Sequence, residues 1–305
     1  MAGYEAGVKE DHPNVRNRPL VLIRGAGDLA SGVALRLQRA GFDVVMTEID
    51  RPAAVRRTVA FAEAVYEGRS VVEGLEGVLV SDARQARAEI GAGRVAVLVD
   101  PDARVRHDLS PLLLVDAIIA KRNLGTTKEH APVVVALGPG FVAGEDVHAV
   151  VETMRGHTLG RVLYEGEALP NTGVPGEVGG KGAERVLRAP AAGRFTPRRR
   201  IGDTVVRGDV VGLVDGRQVV ASIDGVLRGL VREGLEVTEG FKVGDVDPRA
   251  TREHCFTVSD KALAVAGGVL EAACFLLGGP LLCRWRRLGR GFVICSICST
   301  SSLAW

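Results

Sequence analysis

Aromatic residues are scarce in this 305-residue chain, at 4%, so its cores must be built from Val, Leu, Ala and Ile. Cysteine is scarcer still. Four of the five, Cys274, Cys283, Cys295 and Cys298, fall in the last 32 residues, and the body holds only Cys255. No disulfide framework can therefore staple the body. Charge of one sign is also missing: the formal net charge is +2, which gives no footprint for nucleic-acid binding. Met1 to Pro19 contains no apolar run of the signal-peptide kind, and the expected location is cytoplasmic. Hydrophobic residues at 46% and charged ones at 25% exclude a disordered, collagen-like or polytopic membrane protein. The length suits two domains.

Glycine is abundant, at 39 residues, and it punctuates the pattern. The apolar run Leu20 to Ile23 stops at Gly25-Ala26-Gly27, and Leu29, Val33, Leu35, Leu37 and Ala40 then form a helical stripe closed by Gly41. Phe42 to Met46 reads as the next strand, and Pro52 as the opening of a helix that continues to Gly68. Further strands are expected at Val78–Val80, Val95–Val99, Ala117–Ala120 and Val133–Leu137. Strands alternating with helices predict a doubly wound, Rossmann-like parallel sheet over residues 19–165.

Within that frame Gly25, Gly27 and Ala30 match the Gly/Ala form of the dinucleotide fingerprint, with Glu48 placed to bind a ribose hydroxyl. The opposing reading is a tight βα turn, and Asp28 would repel a pyrophosphate. Lys121 and Arg122, beside Gly125-Thr126, are candidates to hold an anion, or else form a solvated loop. Gly138 and Gly140 mark a second strand–glycine–helix junction. The helix expected after it would carry His148 and Glu152 four apart, with His157 beyond, as a candidate metal set; the alternative is an ordinary helix surface. Gly179 to Gly182 fails as a phosphate loop, because Pro175 stands where a glycine is required.

Residues 166–185 read as a linker. Ala189–Val214 and Ala221–Val246 then align without gaps at an offset of 32, pairing Gly193 with Gly225 and Gly202 with Gly234. Such a repeat implies two interlocked β-halves around one small core, resembling the barrel-sandwich hybrid of biotinyl and lipoyl domains over residues 186–248. The connector Asp215-Gly216-Arg217-Gln218 lacks the carrier lysine, so neither biotin nor lipoate is expected. Pro197-Arg198-Arg199-Arg200 reads as a basic turn. A C-terminal helix is expected over 255–273, capped by Ser259, with Gly267-Gly268 inside it implying a close neighbour. Leu263 to Leu282 has the length of a membrane span, but Glu271, the two glycines and Pro280 argue against one. Residues 274–305 form an atypical tail whose Cys295-x-x-Cys298 lacks a second pair for zinc.

Together, Ile23 to Gly32, Glu48 to Pro52, Arg56 to Phe61, Lys121 to Thr126, Leu137 to Phe141, His148 to Arg161, Asn171 to Gly173, Cys255 to Lys261 and Gly267 to Ala272 resemble the YqeB family, accessory proteins of selenium-dependent molybdenum hydroxylases. Their Rossmann part is similar to XdhC-type proteins that handle molybdenum cofactor. The resemblance implies a cytosolic maturation factor whose partner is such a hydroxylase and whose ligand is molybdenum cofactor or its dinucleotide form. It stops at Ala273, which leaves an altered chain end as an expectation. Two alternatives stand beside it: an NAD(P)-dependent oxidoreductase acting on a selenium or sulfur species, with Cys255 as its reactive thiol, and a non-enzymatic docking scaffold. The opposing reading of Cys255, which the sequence favours because nothing in it shows a stabilised thiolate, is a buried structural residue. Oligomeric state is not set by the sequence.

Overall fold

A computed structural model describes residues 18–278. Leu20–Arg24 (β1) is buried from Val21 onward, and the turn at Gly25 ends it. Gly25 has φ +101°, and a Cβ there would lie 3.0 Å from the Ala117 carbonyl, so only glycine lets these backbones meet. Helix α1 (Asp28–Arg39) follows, with Asp28 in its first turn and Arg36 and Arg39 in its last, matching the helix dipole at both ends. Next come β2 (Asp43–Glu48), α2 (Ala64–Glu67), β3 (Arg69–Val72), β4 (Leu75–Val80), α3 (Ala83–Gly91), β5 (Val95–Val99), α4 (Arg106–Leu109), β6 (Leu113–Asp116), β7 (Val133–Leu137), β8 (Val142–Ala143), β9 (Ala149–Val151), β10 (Val162–Leu163) and β11 (Gly166–Glu167).

Nine of these strands form one sheet in the order β10-β9-β7-β6-β1-β2-β5-β4-β3. Strands β9 to β4 in that order pair parallel, whereas β10 and β3 pair antiparallel at the two edges. The sheet is therefore mixed rather than wholly parallel. The helix expected from Pro52 is replaced by extended chain and two 3-10 turns, Arg57–Val59 and Phe61–Glu63, before the four-residue α2. No helix follows Gly140; β8 and β9 occupy that stretch. The strand expected at Ala117–Ala120 lies earlier, at β6.

The face those crossover helices would have covered is filled from far along the chain. Helix α5 (Asp260–Leu276) packs on α1, and its Ala262, Val265, Ala266 and Val269 join the core formed by Val21, Ile23 and Val33. Close approach explains its glycine pair. A Cβ on Gly268 would fall 2.3 Å from the Gly160 carbonyl oxygen and 2.7 Å from Val151 Cγ1, whereas one on Gly267 meets nothing within 4 Å. The two alanine substitutions should differ in sign. Gly268→Ala is expected to destabilise by about 1–3 kcal/mol through overpacking, and Gly267→Ala to stabilise by up to about 1 kcal/mol through helix propensity, both read by urea denaturation. No helix among the described residues is long and apolar enough to cross a membrane. The end of the considered span, the Cys295–Cys298 pair and most of the tail lie outside the described residues.

The second unit contains β12 (Val186–Arg188), β13 (Gly193–Pro197), β14 (Thr204–Val205), β15 (Val210–Val214), β16 (Arg217–Val220), β17 (Gly225–Leu230), β18 (Glu236–Val237) and β19 (Lys242–Asp247). They make two four-stranded sheets, β12-β19-β17-β14 and β16-β15-β13-β18. The repeat places β13, β14 and β15 in register with β17, β18 and β19. Each half lends its short strand to the other: β14 pairs with β17, and β18 with β13. Phe195, Val211, Val214, Leu227, Val243 and Val246 fill the shared core.

The units are fastened along residues 55–57. The Leu230 N–H donates to the Val55 carbonyl at 2.8 Å, and Arg57 Nε donates to the Leu230 carbonyl at 2.7 Å. Val55 itself packs against the second core.

Candidate anion-binding cleft

Where the two units meet, the carboxyl ends of β1, β2, β6 and β7 face β17 and β19 across a cleft with a volume of about 850 Å³. Strand β1 lies between β2 and β6, so the chain leaves it in opposite directions at this point, which is where open α/β sheets form crevices. Seven cationic side chains line the cleft, Arg56, Lys121, Arg155, Arg185, Arg228, Lys242 and Lys261, against three carboxylates, Asp28, Glu177 and Asp245.

Part of that charge is internally matched. Arg228 donates to Asp245 through Nε at 3.1 Å and Nη2 at 2.8 Å, and through Nη1 to Asp247 at 3.3 Å. Arg185 pairs with the other Asp245 oxygen, and Arg155 forms a two-pronged pair with Asp260 at 2.8 and 3.1 Å. The rest is not matched. Lys121 and Lys261 have no carboxylate within salt-bridge distance among the described residues. Burial pulls the Lys242 and Lys261 ammonium groups below the ordinary lysine range; the Asp245 charge opposes this at Lys242, and the Asp28 charge at Lys261.

Arg56 is the most telling of the cations. It is 7% exposed, and its Nη2 donates to the His254 carbonyl at 2.9 Å and the Thr257 carbonyl at 3.0 Å. Its Nη1 lies 3.8 Å from Asp28, and its Nε has no partner. A buried guanidinium without a full set of acceptors is costly, and its charge adds to the positive potential of the cleft.

Lys121 is held in place by a strained loop. Ile119 and Lys121 have φ of +59° and +62°, left-handed values that cost about 1–3 kcal/mol each outside glycine. Several contacts impose them. Buried Arg24 donates to the Leu124 carbonyl at 3.1 Å and Thr126 Oγ1 at 2.9 Å, and Thr126 Oγ1 donates to Asp116 at 2.6 Å. Asn123 Oδ1 accepts from the Gly125 and Thr126 N–H groups. Gly140 presses on the loop from β7; a Cβ there would lie 2.5 Å from Arg122 Cα. Strain in a cleft-lining loop that is fixed by so many contacts is a feature binding sites often carry.

The structure scatters the other candidates. Glu48 does not wait for a ribose: its carboxylate accepts the Ala26 N–H and the Ile49 N–H, each at 2.9 Å. It closes the Gly25–Gly27 turn itself and takes up a donor the fingerprint would offer to phosphate. Gly27 has open space around its missing Cβ, and Ala30 is buried in the first core. Lys121 lines the cleft and Arg122 does not; Gly138 and Gly140 flank Pro139, which does.

The metal set fails because its helix does not form. The Val134 N–H donates to His148 Nδ1 at 3.0 Å, Glu152 accepts the Met154 and Leu169 N–H groups, and His157 is exposed. Among the described residues no group of three His, Cys, Asp or Glu could hold a metal. Cys255 is fully buried, its Sγ 3.7 Å from the Leu227 carbonyl, and burial pushes its thiol up rather than toward thiolate, which removes it as a reactive group. Brief alkylation of the native protein followed by peptide mapping should therefore modify exposed Cys274 and leave Cys255 unmodified. Rapid labelling of Cys255 would contradict its buried placement.

Sequence reasoning did not single out Arg185, Arg228, Lys242 or Asp245. For Arg228, Lys242 and Asp245 the only signal is a charged residue inside an otherwise apolar β segment, and Arg185 stands in a 3-10 turn just before β12.

The chain is 50% identical over 270 residues to a protein of Escherichia coli strain K12 described as uncharacterized protein YqeB, a match covering 88% of this chain. That identity supports membership of the YqeB family. The chain spans about half the length of that relative. No family model matches. Similar solved structures include an aspartoacylase family protein from Mesorhizobium loti, 12% identical with a TM-score of 0.25, covering 75% of this chain and 85% of that one. A succinylglutamate desuccinylase/aspartoacylase from Rhodobacter sphaeroides is 14% identical with a TM-score of 0.24, over 75% and 86% of the two chains. At these values nothing of their activity is carried over.

The strand order and pairing correct the expected Rossmann-like domain plus barrel-sandwich hybrid to a large mixed sheet joined to two small antiparallel sheets. The functional expectation is corrected as well. The relative is described only as uncharacterized, so the expected maturation role finds no support in the comparisons. The selenium and molybdenum attributes are withdrawn with that role.

Proposed function

We propose that the protein binds a small, multiply anionic molecule, bearing phosphate or carboxylate groups, in the cleft between its two units. The observation that carries this reading is the excess of cations around buried Arg56, whose Nε lacks an acceptor. Anions attract arginine and lysine most strongly where water is partly excluded, and the volume of the cleft lies within the range of small-molecule sites. The strained loop at Lys121 and the unpaired ammonium of Lys261 supply contacts from two further directions.

Calorimetric titration of the full chain with pyrophosphate tests the reading. Saturable binding that weakens as salt is raised is expected, and absence of binding at low salt would refute it. The phosphate-bearing cofactors considered from the sequence, molybdenum cofactor with its dinucleotide form and NAD(P), serve as further probes in the same titration. A cytoplasmic location, which the family resemblance implies, is part of this proposal and is tested by cell fractionation.

A further inference from the structure

Asp28 is out of place in an anion site. It opens α1 and lines the cleft with its side chain 37% exposed. A carboxylate there repels the ligand that the surrounding cations attract. It is also not consumed by the fold: the nearest guanidinium nitrogen, on Arg56, is 3.8 Å away, beyond hydrogen-bond range. No donor among the described residues forms a hydrogen bond to it. The Asp28 charge acts on both Lys242 and Lys261, and its lone pairs are open to the cleft.

We propose that Asp28 selects the ligand by accepting a hydrogen bond from a hydroxyl group that the ligand carries beside its anionic group on the same carbon skeleton, so that the cleft takes a phosphorylated or carboxylated polyol rather than a bare anion. This rests on the anion-binding reading above. The local charge decides which donor is accepted. An ammonium beside Asp28 would meet Arg56, Lys242 and Lys261, whereas a neutral hydroxyl meets no such repulsion. The cleft has room for more than an anionic group, and Asn171 and Thr172 on its wall add neutral polar partners. A carboxylate left unpaired when a ligand lacks the hydroxyl is the usual way such sites reject the wrong ligand.

The test titrates ribose 5-phosphate and inorganic phosphate into the native chain, Asp28→Ala and Asp28→Asn, with melting curves confirming that each variant is folded. The native protein should bind ribose 5-phosphate about tenfold or more tightly than phosphate, as expected for a hydrogen bond to a charged acceptor. Asp28→Ala should abolish that preference while tightening phosphate. Asp28→Asn, which keeps an acceptor but not the charge, should retain part of the preference. A preference unchanged in Asp28→Ala, or both ligands tightening equally, would overturn the inference and leave the anion site standing. Equal binding of the two ligands by the native chain would overturn it too. Failure of every anion to bind would instead remove the parent reading.

Discussion

Asp245→Ala should destabilise the protein by about 3–5 kcal/mol, the usual cost of leaving buried charges without their partner. Asp245 is 1% exposed and is shared by Arg185 and Arg228, themselves 7% and 6% exposed. Removing it leaves buried Arg185 without a carboxylate and Arg228 with Asp247 alone at 3.3 Å, and Lys242 loses its nearest carboxylate at 3.8 Å. Urea denaturation followed by circular dichroism measures the loss. A change below about 1 kcal/mol, the scale of an exposed pair, would mean that cleft water already solvates these arginines.

The neighbouring carboxylate sets the acid limit of the same network. Burial raises the Asp247 pKa, but the hydrogen bonds from Arg249 and the nearby Arg228 charge overcome this and hold it at about 2. A carboxylate lowered in the folded state binds fewer protons than it does unfolded. Its stabilisation is therefore complete above the ordinary value of 3.8 and is lost as the pH falls toward about 2. Removing this pair by Asp247→Asn should flatten the stability profile within that window and leave its shape above pH 4 unchanged.

The second large effect concerns binding. Lys261→Met should weaken pyrophosphate affinity by about tenfold to a hundredfold, the range for a hydrogen bond from a charged group, with little effect on folding because Lys261 forms no salt bridge among the described residues. Lys121→Met should do the same from the opposite wall. If the two lysines contact one ligand, the double variant loses saturable binding, and the salt dependence of the residual binding falls. Unchanged affinity in both single variants would place the anion elsewhere.

Much of the first unit could be read locally. The buried apolar run of β1, the stop at Gly25 and the stripe of α1 follow from periodicity over a few residues. The Gly267–Gly268 pair announced a close neighbour, and the structure supplies Gly160. What failed were inferences that needed a helix where tertiary context prefers extended chain. Pro52 can open a helix, but Val55 and Arg57 are instead hydrogen-bonded to Leu230 of β17. His148 and Glu152 share a helical face only if a helix exists, and β9 pairing with β7 excludes one. The fingerprint at Gly25–Gly27 was real as a turn, but its meaning depended on Glu48, whose carboxylate folds back onto the turn.

The cleft itself was only partly legible. Lys121 could be picked out because it sits beside a glycine turn at a strand end. Arg56 and Lys261 lie within segments quoted for the family resemblance, where nothing local distinguishes them. Arg185, Arg228, Lys242 and Asp245 belong to a unit more than a hundred residues from β1. Only the docking of Val55 on Leu230 brings them opposite the sheet, and sequence spacing carries no trace of that contact.

The central claim is that an anion sits among Arg56, Lys121 and Lys261. The most direct measurement is diffraction from crystals of the full chain grown with arsenate, a phosphate analogue whose anomalous scattering marks its position. The account predicts an anomalous peak in the cleft within hydrogen-bond distance of Arg56 Nε or of the Lys121 or Lys261 ammonium. An empty cleft at saturating arsenate, or peaks only on the outer surface, would contradict it.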